Sequence, residues 1–314
     1  MFHVTRGPMS LPSFVHDVAW AFAEFVNEES YKFAATGKAE YPLVAPEGGK
    51  EPLRAEYSAY TMGSDHDVYQ DSSFGIPAIY LNDWPDRYIH TNFDTAANID
   101  PTKLKRAAFI GAASGYFLAG MGDKDLQAIF GLLQMRTLRT AAEIRRKSAQ
   151  IETPCEGGEI ERFERDQVRP LVESVTRLAP DTQGIRWPAI GKIGANIANN
   201  TQGMCLKTIV LLGDLGKPYQ RTGTVKGPLA VFGYDYFAEH AKAAGIATPK
   251  LLSYKGLWGA GEEYAYEVLN FADGKRNAQE VRDAVSAEYG PVPLELVVEY
   301  LTALEKIGVV EAVK

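Results

Sequence analysis

Histidine side chains are the first candidates for chemistry in this sequence, because imidazole binds metals and exchanges protons near neutral pH. The chain of 314 residues has five histidines, and two of them, His66 and His90, fall within the turn-rich residues 60–100. An apolar run at residues 76–81 predicts a buried strand there, and residues 82–86 have the composition of a turn. Residues 88–91 are expected to return to the interior. This order predicts His90 on a loop beyond a strand end, where α/β proteins place ligand and metal sites. The alternative is a core histidine bonded to a backbone carbonyl.

Three motifs in this stretch follow one another at a distinctive spacing. They are Gly63-Ser64-Asp65-His66, Gly75-Ile76-Pro77-Ala78, and Tyr88-Ile89-His90-Thr91 followed by Asp94-Thr95. In order and spacing they resemble the C-terminal half of the catalytic domain of the di-zinc aminopeptidase and glutamate-carboxypeptidase family. The resemblance covers about the first 120 residues of the chain.

The resemblance implies roles for particular residues. His90 matches the histidine that ligates one zinc in that family, so it is the predicted metal ligand. The loop Gly63, Ser64, Asp65 and His66, together with Tyr88, inherits a substrate-binding role, and the implied substrate is a peptide. Two zinc ions are implied for a complete parent protein.

Most of the family's metal-binding residues have no match in this sequence. The family uses a His-x-Asp pair, a Glu-Glu pair and a further Asp before the final histidine. The pairs Glu28-Glu29 and Glu262-Glu263 occur in the wrong order and are predicted to be solvated surface. We therefore expect the missing ligands upstream of Met1, weak or no zinc binding, no catalytic residue and no activity in this chain alone, and an open sheet edge available for self-association.

Composition and charge bound the classes of partner. The formal net charge of −7 argues against nucleic acid, because a nucleic-acid surface requires a basic footprint. No apolar run reaches the length of about 20 residues that a membrane span needs, and the N-terminus has no signal-peptide pattern. Cys155 and Cys205 have no metal-site spacing and could be one disulfide or two thiols.

Hydrophobic periodicity and turn signals divide the chain into three predicted domains. Residues 1–121 are expected to form an α/β, partial zinc-exopeptidase-like sheet (phosphorylase/hydrolase-like) with flanking helices. Its elements are a strand at residues 2–5, an amphipathic helix from residue 14 to 26 with His16 and Trp20 on its margin, a long surface loop at 30–60, and a helix at 101–121. Residues 122–258 are expected to be a helical and irregular extension, with helices at 123–149 and 159–178 and strands at 206–212 and 229–232. Its basic residues (Arg136, Arg139, Arg145, Arg146 and Lys147) are predicted to be a solvated helix face.

Residues 259–314 have the pattern of a small winged-helix-like module. It predicts helices at 262–271, 278–289 and 294–307 and a terminal strand at 309–313, with Asn277 as a helix cap. Eleven acidic residues against five basic ones disfavour DNA as its partner.

The leading functional hypothesis is therefore the C-terminal portion of a zinc-dependent exopeptidase, most simply an aminopeptidase. The alternative is a non-catalytic protein-interaction module that keeps the peptidase-like fold, as the transferrin-receptor branch of the family does. A winged-helix regulator is a third hypothesis, which the acidic charge disfavours.

Overall fold

The fold is mixed α/β and is seen in a computed structural model that describes residues 1–149, 154–178, 216–231, 233–256 and 261–313. Within these ranges an N-terminal α/β part, a pair of long helices and a C-terminal helical part follow one another. None of the helices in these ranges combines the length and hydropathy of a membrane-spanning segment.

The N-terminal sheet has three short strands with the first strand in the middle. β1 (Phe2–Thr5) pairs in parallel with β2 (Ala55–Ser58) and antiparallel with β3 (Tyr80–Asp83). The strand predicted at residues 2–5 is confirmed, but the one predicted at 76–81 is wrong in its bounds, since pairing runs from Tyr80 to Asp83. The carbonyl of Ala78 accepts instead from the His16 ring, 3.1 Å away, so residues 76–79 run outside the sheet.

Two helices cover this sheet. α1 (Val15–Thr36) and α3 (Pro101–Gly120) pack on each other and on the apolar side chains of β1. α3 begins as predicted, with the Asp100 side chain accepting the N–H of Thr102 and with proline in the first turn. α1 is longer than predicted and occupies part of the expected surface loop, as does β2.

His16 is not on the margin of α1, as predicted, but buried. Its Nε2 lies 2.8 Å from the Gln70 side-chain oxygen. Polar partners inside the protein therefore replace the water that the ring loses on burial.

Two long helices join the N-terminal and C-terminal parts. They are α4 (Leu126–Ser148) and α5 (Pro154–Leu178), and they pack on each other, with α4 also contacting α1. The prediction that the basic residues of α4 are a solvated face is wrong for Arg136 and Lys147. Arg136 pairs with the buried Asp17 of α1 at 2.8 Å, and Lys147 donates to backbone carbonyls of residues 287 and 288.

The C-terminal part combines helices with a second three-stranded sheet. Its elements are β4 (Pro218–Arg221), β5 (Ala230–Val231), β6 (Tyr234–Asp235), α6 (Tyr236–Ala243), α7 (Gly261–Asn270), β7 (Asp273–Asn277), α8 (Ala278–Tyr289), α9 (Leu294–Lys306) and β8 (Val310–Ala312). The three helices predicted after residue 259 and the final strand are confirmed within two residues. Asn277 and Glu280 form the reciprocal capping box of α8.

The central strand of this second sheet is β4, between β7 and β8. It comes from residues that the sequence analysis placed in the irregular extension. The expected strand at 206–212 and Cys205 lie outside the described residues, and so does the Cys155 side chain.

Buried polar contacts attach the C-terminal part to the N-terminal part. Arg221 donates to Asp71 at 2.7 Å, and Asn270 accepts the N–H of Ser72 at 2.8 Å. Glu267 and Glu288 accept from the backbone of residues 10 and 9. Hydrogen bonds to buried polar groups therefore join the two parts.

Candidate functional site

The loop that carries Gly63, Ser64, Asp65 and His66 follows β2 and is closed by one buried carboxylate. Asp67 Oδ1 accepts from the Tyr60 hydroxyl at 2.7 Å, and Oδ2 accepts from the N–H of Gly63 at 2.8 Å. Gly63 has φ of 125°, in a region that favours glycine, which lets the backbone turn toward Asp67. The loop is thereby fixed from inside.

His66 is buried, with only 4% of its surface exposed. Its Nε2 lies 2.7 Å from the carbonyl oxygen of Thr61 and 3.2 Å from Asp67 Oδ1, and its ring stacks on Tyr80 at 3.9 Å between centroids. Burial lowers the pKa of His66, and the nearby Asp67 carboxylate opposes that shift only in part. We therefore assign a neutral imidazole near pH 7 that donates from Nε2 to Thr61.

The surface that this loop offers to a ligand comes from Ser64 and Asp65, which are exposed, whereas His66 supports them from below. Nδ1 of His66 is buried without a hydrogen-bond partner. This atom is an acceptor in the tautomer assigned above. His66 therefore lies beneath the exposed residues of the loop, and the substrate-binding role predicted for it stays a prediction.

A tyrosine of the C-terminal part braces the same loop. The Tyr266 hydroxyl donates to the carbonyl oxygen of Asp67 at 2.8 Å, and the Tyr266 ring stacks on Tyr60 at 5.2 Å. Sequence reasoning missed Tyr266, because 199 positions separate it from Asp67 and neither its composition nor its spacing marks the contact.

The loop that carries Tyr88 and His90 is exposed and held by its own turn contacts. Asp86 Oδ1 accepts from the N–H of Tyr88 at 2.8 Å and of Ile89 at 3.2 Å. His90 has φ of 61° and is exposed, and Ile89 is 40% exposed. The predicted return of residues 88–91 to the interior is wrong, since local hydrogen bonds satisfy the backbone without apolar burial. Only Tyr88 is half-buried.

The sheet separates the two predicted parts of the site. His66 stacks on Tyr80 at the start of β3, whereas the chain leaves Asp83, at the far end of β3, to reach His90. Phe2 is opposite Asp83 and Thr5 is opposite Tyr80 in the register. The loop that precedes His66 and the loop that carries His90 therefore lie at opposite ends of the sheet.

The described residues do not fit a zinc centre. No group of three or more histidine, cysteine, aspartate or glutamate side chains lies together in the described part of the chain, and zinc takes at least three protein ligands. Asp86, four positions from His90, is engaged in the turn. His90 would supply a single ligand.

The Glu-Glu pairs differ from the predicted solvated surface. Glu28 and Glu262 are exposed as predicted. Glu29, however, is buried and accepts from Lys32 at 2.8 Å and from the N–H of Tyr41 at 2.7 Å, and Glu263 is half-buried. Glu29 thus has a structural role at the end of α1.

Comparison with known proteins identifies one family. The sequence model of peptidase family M28 matches residues 31–114, a range that contains both loops described above. Searches of curated proteins and of solved structures each return no match. The resemblance of this segment to M28 peptidases, seen first in its three motifs, is confirmed, and it indicates a peptidase-type hydrolase function.

Proposed function

We propose, starting from the M28 resemblance of residues 31–114, that the chain supplies a substrate-side loop and one zinc ligand to an aminopeptidase acting on the N-terminal residues of peptides. The observation that carries the proposal is that Gly63 to His66, Tyr88 and His90 all fall within the matched segment and keep the order of the family's motifs. Ser64 and Asp65 are the exposed side chains available to a peptide, and His90 is the zinc ligand.

We expect the chain by itself to be inactive, because the described residues bring together no group of three or more histidine, cysteine, aspartate or glutamate side chains. We expect less than one zinc per chain after dialysis against micromolar zinc, and no turnover of an aminoacyl p-nitroanilide. The measurements are metal analysis and absorbance of released p-nitroaniline. Two zinc ions per chain accompanied by turnover would contradict this expectation.

The alternative is a non-catalytic interaction module with a peptidase-like fold. The observation that favours it is the closely packed contact between the matched segment and the C-terminal part, through Tyr266 and Asp67 among others. The genomic sequence preceding the codon of Met1 discriminates between the two. An in-frame His-x-Asp and Glu-Glu support the enzyme, whereas a frame without them supports the module.

We further propose the three-domain division given above, with strand β4 of the extension completing the sheet of a winged-helix-like C-terminal part that does not bind nucleic acid. The order of α7, α8, α9 and β8 supports the winged-helix description, and the acidic excess after residue 259 supports the absence of nucleic-acid binding. A salt-dependent mobility shift of duplex DNA at micromolar protein would contradict it.

A further inference from the structure

A second candidate site lies at one end of the N-terminal sheet. The His90 loop leaves the opposite end of that sheet. A cavity of about 530 Å³ opens beyond the C-terminal ends of the parallel strands β1 and β2. One face of α4 and the C-terminal end of α8 form its other walls. The carboxyl ends of parallel strands are where open α/β sheets commonly bind ligands. Most of these walls lie outside the segment that resembles M28 peptidases.

Cationic side chains converge on this cavity in a chain that is acidic as a whole. Arg6, Arg136, Arg146 and Lys147 line it, against the acidic residues Glu56, Glu143 and Glu288. Burial, followed by the charge of Glu267, raises the pKa of Glu288 well above its usual range. The lining therefore places four cationic side chains against three carboxyl groups. Arg136 is neutralised from behind by Asp17.

The other three cations, Arg6, Arg146 and Lys147, line the same cavity. The two terminal nitrogens of Arg6 each bond Glu143 at 2.8 Å, while its Nε is buried and has no hydrogen-bond partner. Lys147 of α4 contacts a backbone carbonyl at the C-terminal end of α8, and Arg146 lines the cavity and is exposed. Burial lowers the pKa of Lys147; the charges of Glu288 and Glu143 oppose this shift, whereas those of Arg6 and Arg146 add to it. An anion placed among these three groups would offset their mutual repulsion.

We propose that this cavity binds a small anion through its carboxylate or phosphate oxygens, held by Arg6 Nε, Arg146 and Lys147. Charge-assisted hydrogen bonds of this kind are the strong ones in proteins, and an arginine fork matches either oxygen geometry. The volume admits a small metabolite. The cavity is separate from the His90 loop. A finding that the cavity binds no anion would therefore leave the proposed peptidase role untouched.

The test is calorimetric titration of the full chain with inorganic phosphate and, separately, with succinate, at constant ionic strength. We expect saturable binding of at least one anion with a dissociation constant on the order of 1 mM. Tighter binding of phosphate assigns a phosphate-bearing ligand, and tighter binding of succinate assigns a carboxylate. No binding of either anion at about 10 mM would overturn the proposal.

The matched pair Arg146→Gln and Arg145→Gln separates the site from general charge. Both variants lose one positive charge from adjacent exposed positions of α4, but only Arg146 lines the cavity. We expect Arg146→Gln to weaken binding by about tenfold or more and Arg145→Gln to change it by less than about twofold, since a hydrogen bond to a charged group contributes at least that factor. Equal weakening by the two variants would show nonspecific attraction and would overturn the assignment.

Discussion

At the scale of single residues, Asp67 organises the loop that the M28 resemblance marks as substrate-binding. Its two carboxylate oxygens accept from Tyr60 and Gly63, its backbone carbonyl accepts from Tyr266, and His66 lies beside it. Asp67 and Tyr60 are both buried, so water cannot replace these bonds. The position of the exposed Ser64 and Asp65 follows from this buried carboxylate.

We predict that Asp67→Ala lowers the free energy of unfolding by about 2 to 3 kcal/mol, because it leaves the buried Tyr60 hydroxyl without an acceptor and removes the acceptor of the Gly63 N–H. Asp65→Ala, an exposed neighbour, should change it by less than about 0.5 kcal/mol. Urea unfolding followed by circular dichroism gives both values. Equal effects would show that Asp67 does not hold the loop.

The sequence alone could predict the loop but not its support. The order Gly-Ser-Asp-His marks residues 63–66, yet nothing in it shows that His66 turns inward onto Tyr80 while Ser64 and Asp65 face solvent. Burial of a polar side chain depends on partners distant in sequence, as with Tyr266. The same limit explains why His16 is predicted on the margin of α1 and Arg136 on a solvated helix face. In the structure each is held by a contact to a segment more than 50 positions away.

At the scale of elements, β4 connects the two parts of the protein. It is the middle strand of the C-terminal sheet, and its last residue, Arg221, reaches the buried Asp71 that follows α2 (His66–Gln70). Arg221 also donates to the carbonyls of Val225 and Gly227, which fixes the loop after β4. One side chain thus joins a strand, a loop and the M28-like segment.

We predict that Arg221→Gln lowers the free energy of unfolding by about 3 kcal/mol or more, since it leaves the charge of Asp71 buried without its cation. Adding Asp71→Asn should recover part of that loss, because the uncompensated charge is then removed. Arg276→Gln, which breaks the partly exposed pair with Asp273, should cost less than about 1 kcal/mol. Failure of Asp71→Asn to recover any stability in the double variant would count against the buried charge as the cause.

Helices with strong end signals were predictable, and so were the strands β1 and β8, whereas β4 and the bounds of β3 were not. Asp100 before Pro101, and Asn277 with Glu280, identify where α3 and α8 begin. β4 spans only Pro218–Arg221 and has no alternation of apolar and polar residues, so its place is fixed by its partners β7 and β8. The bounds of β3 were missed for a related reason, because pairing with β1 uses only the last two residues of the apolar run, Tyr80 and Leu81, and continues into the polar residues Asn82 and Asp83.

At the scale of the whole molecule, two buried carboxyl groups lie where the C-terminal helices meet the N-terminal segment. Glu267 of α7 accepts from the N–H of Ser10 at 3.0 Å, and Glu288 of α8 accepts from the N–H of Met9 at 3.2 Å. Burial raises the pKa of both, and Glu267 adds to the shift of Glu288, while Lys147 acts against it. The contact is therefore most stable when the pair holds a proton.

We predict that stability declines as pH rises from the unfolded-state value for glutamate, about 4.3, through the raised pKa values of this pair. The folded protein binds more protons than the unfolded chain across that window, so raising the pH favours unfolding. Glu288→Gln should flatten the decline and increase stability at pH 8 relative to the wild type, because an amide imitates the protonated carboxyl. Glu295→Gln, at an exposed position, is the control. Parallel pH profiles for the wild type and Glu288→Gln would rule out this pair as the source.

The most direct test of the peptidase assignment is zinc stoichiometry measured beside aminopeptidase rate, in a protein that carries this chain together with the family's His-x-Asp and Glu-Glu elements. In that protein His90→Ala should lose one of two zinc ions and most of the turnover, because a ligand position would be empty. His240→Ala is the matched control, since His240 is an exposed histidine on α6 that stacks on Tyr236. We predict two zinc ions and full rate for His240→Ala. Two zinc ions and full rate retained in His90→Ala would contradict the assignment.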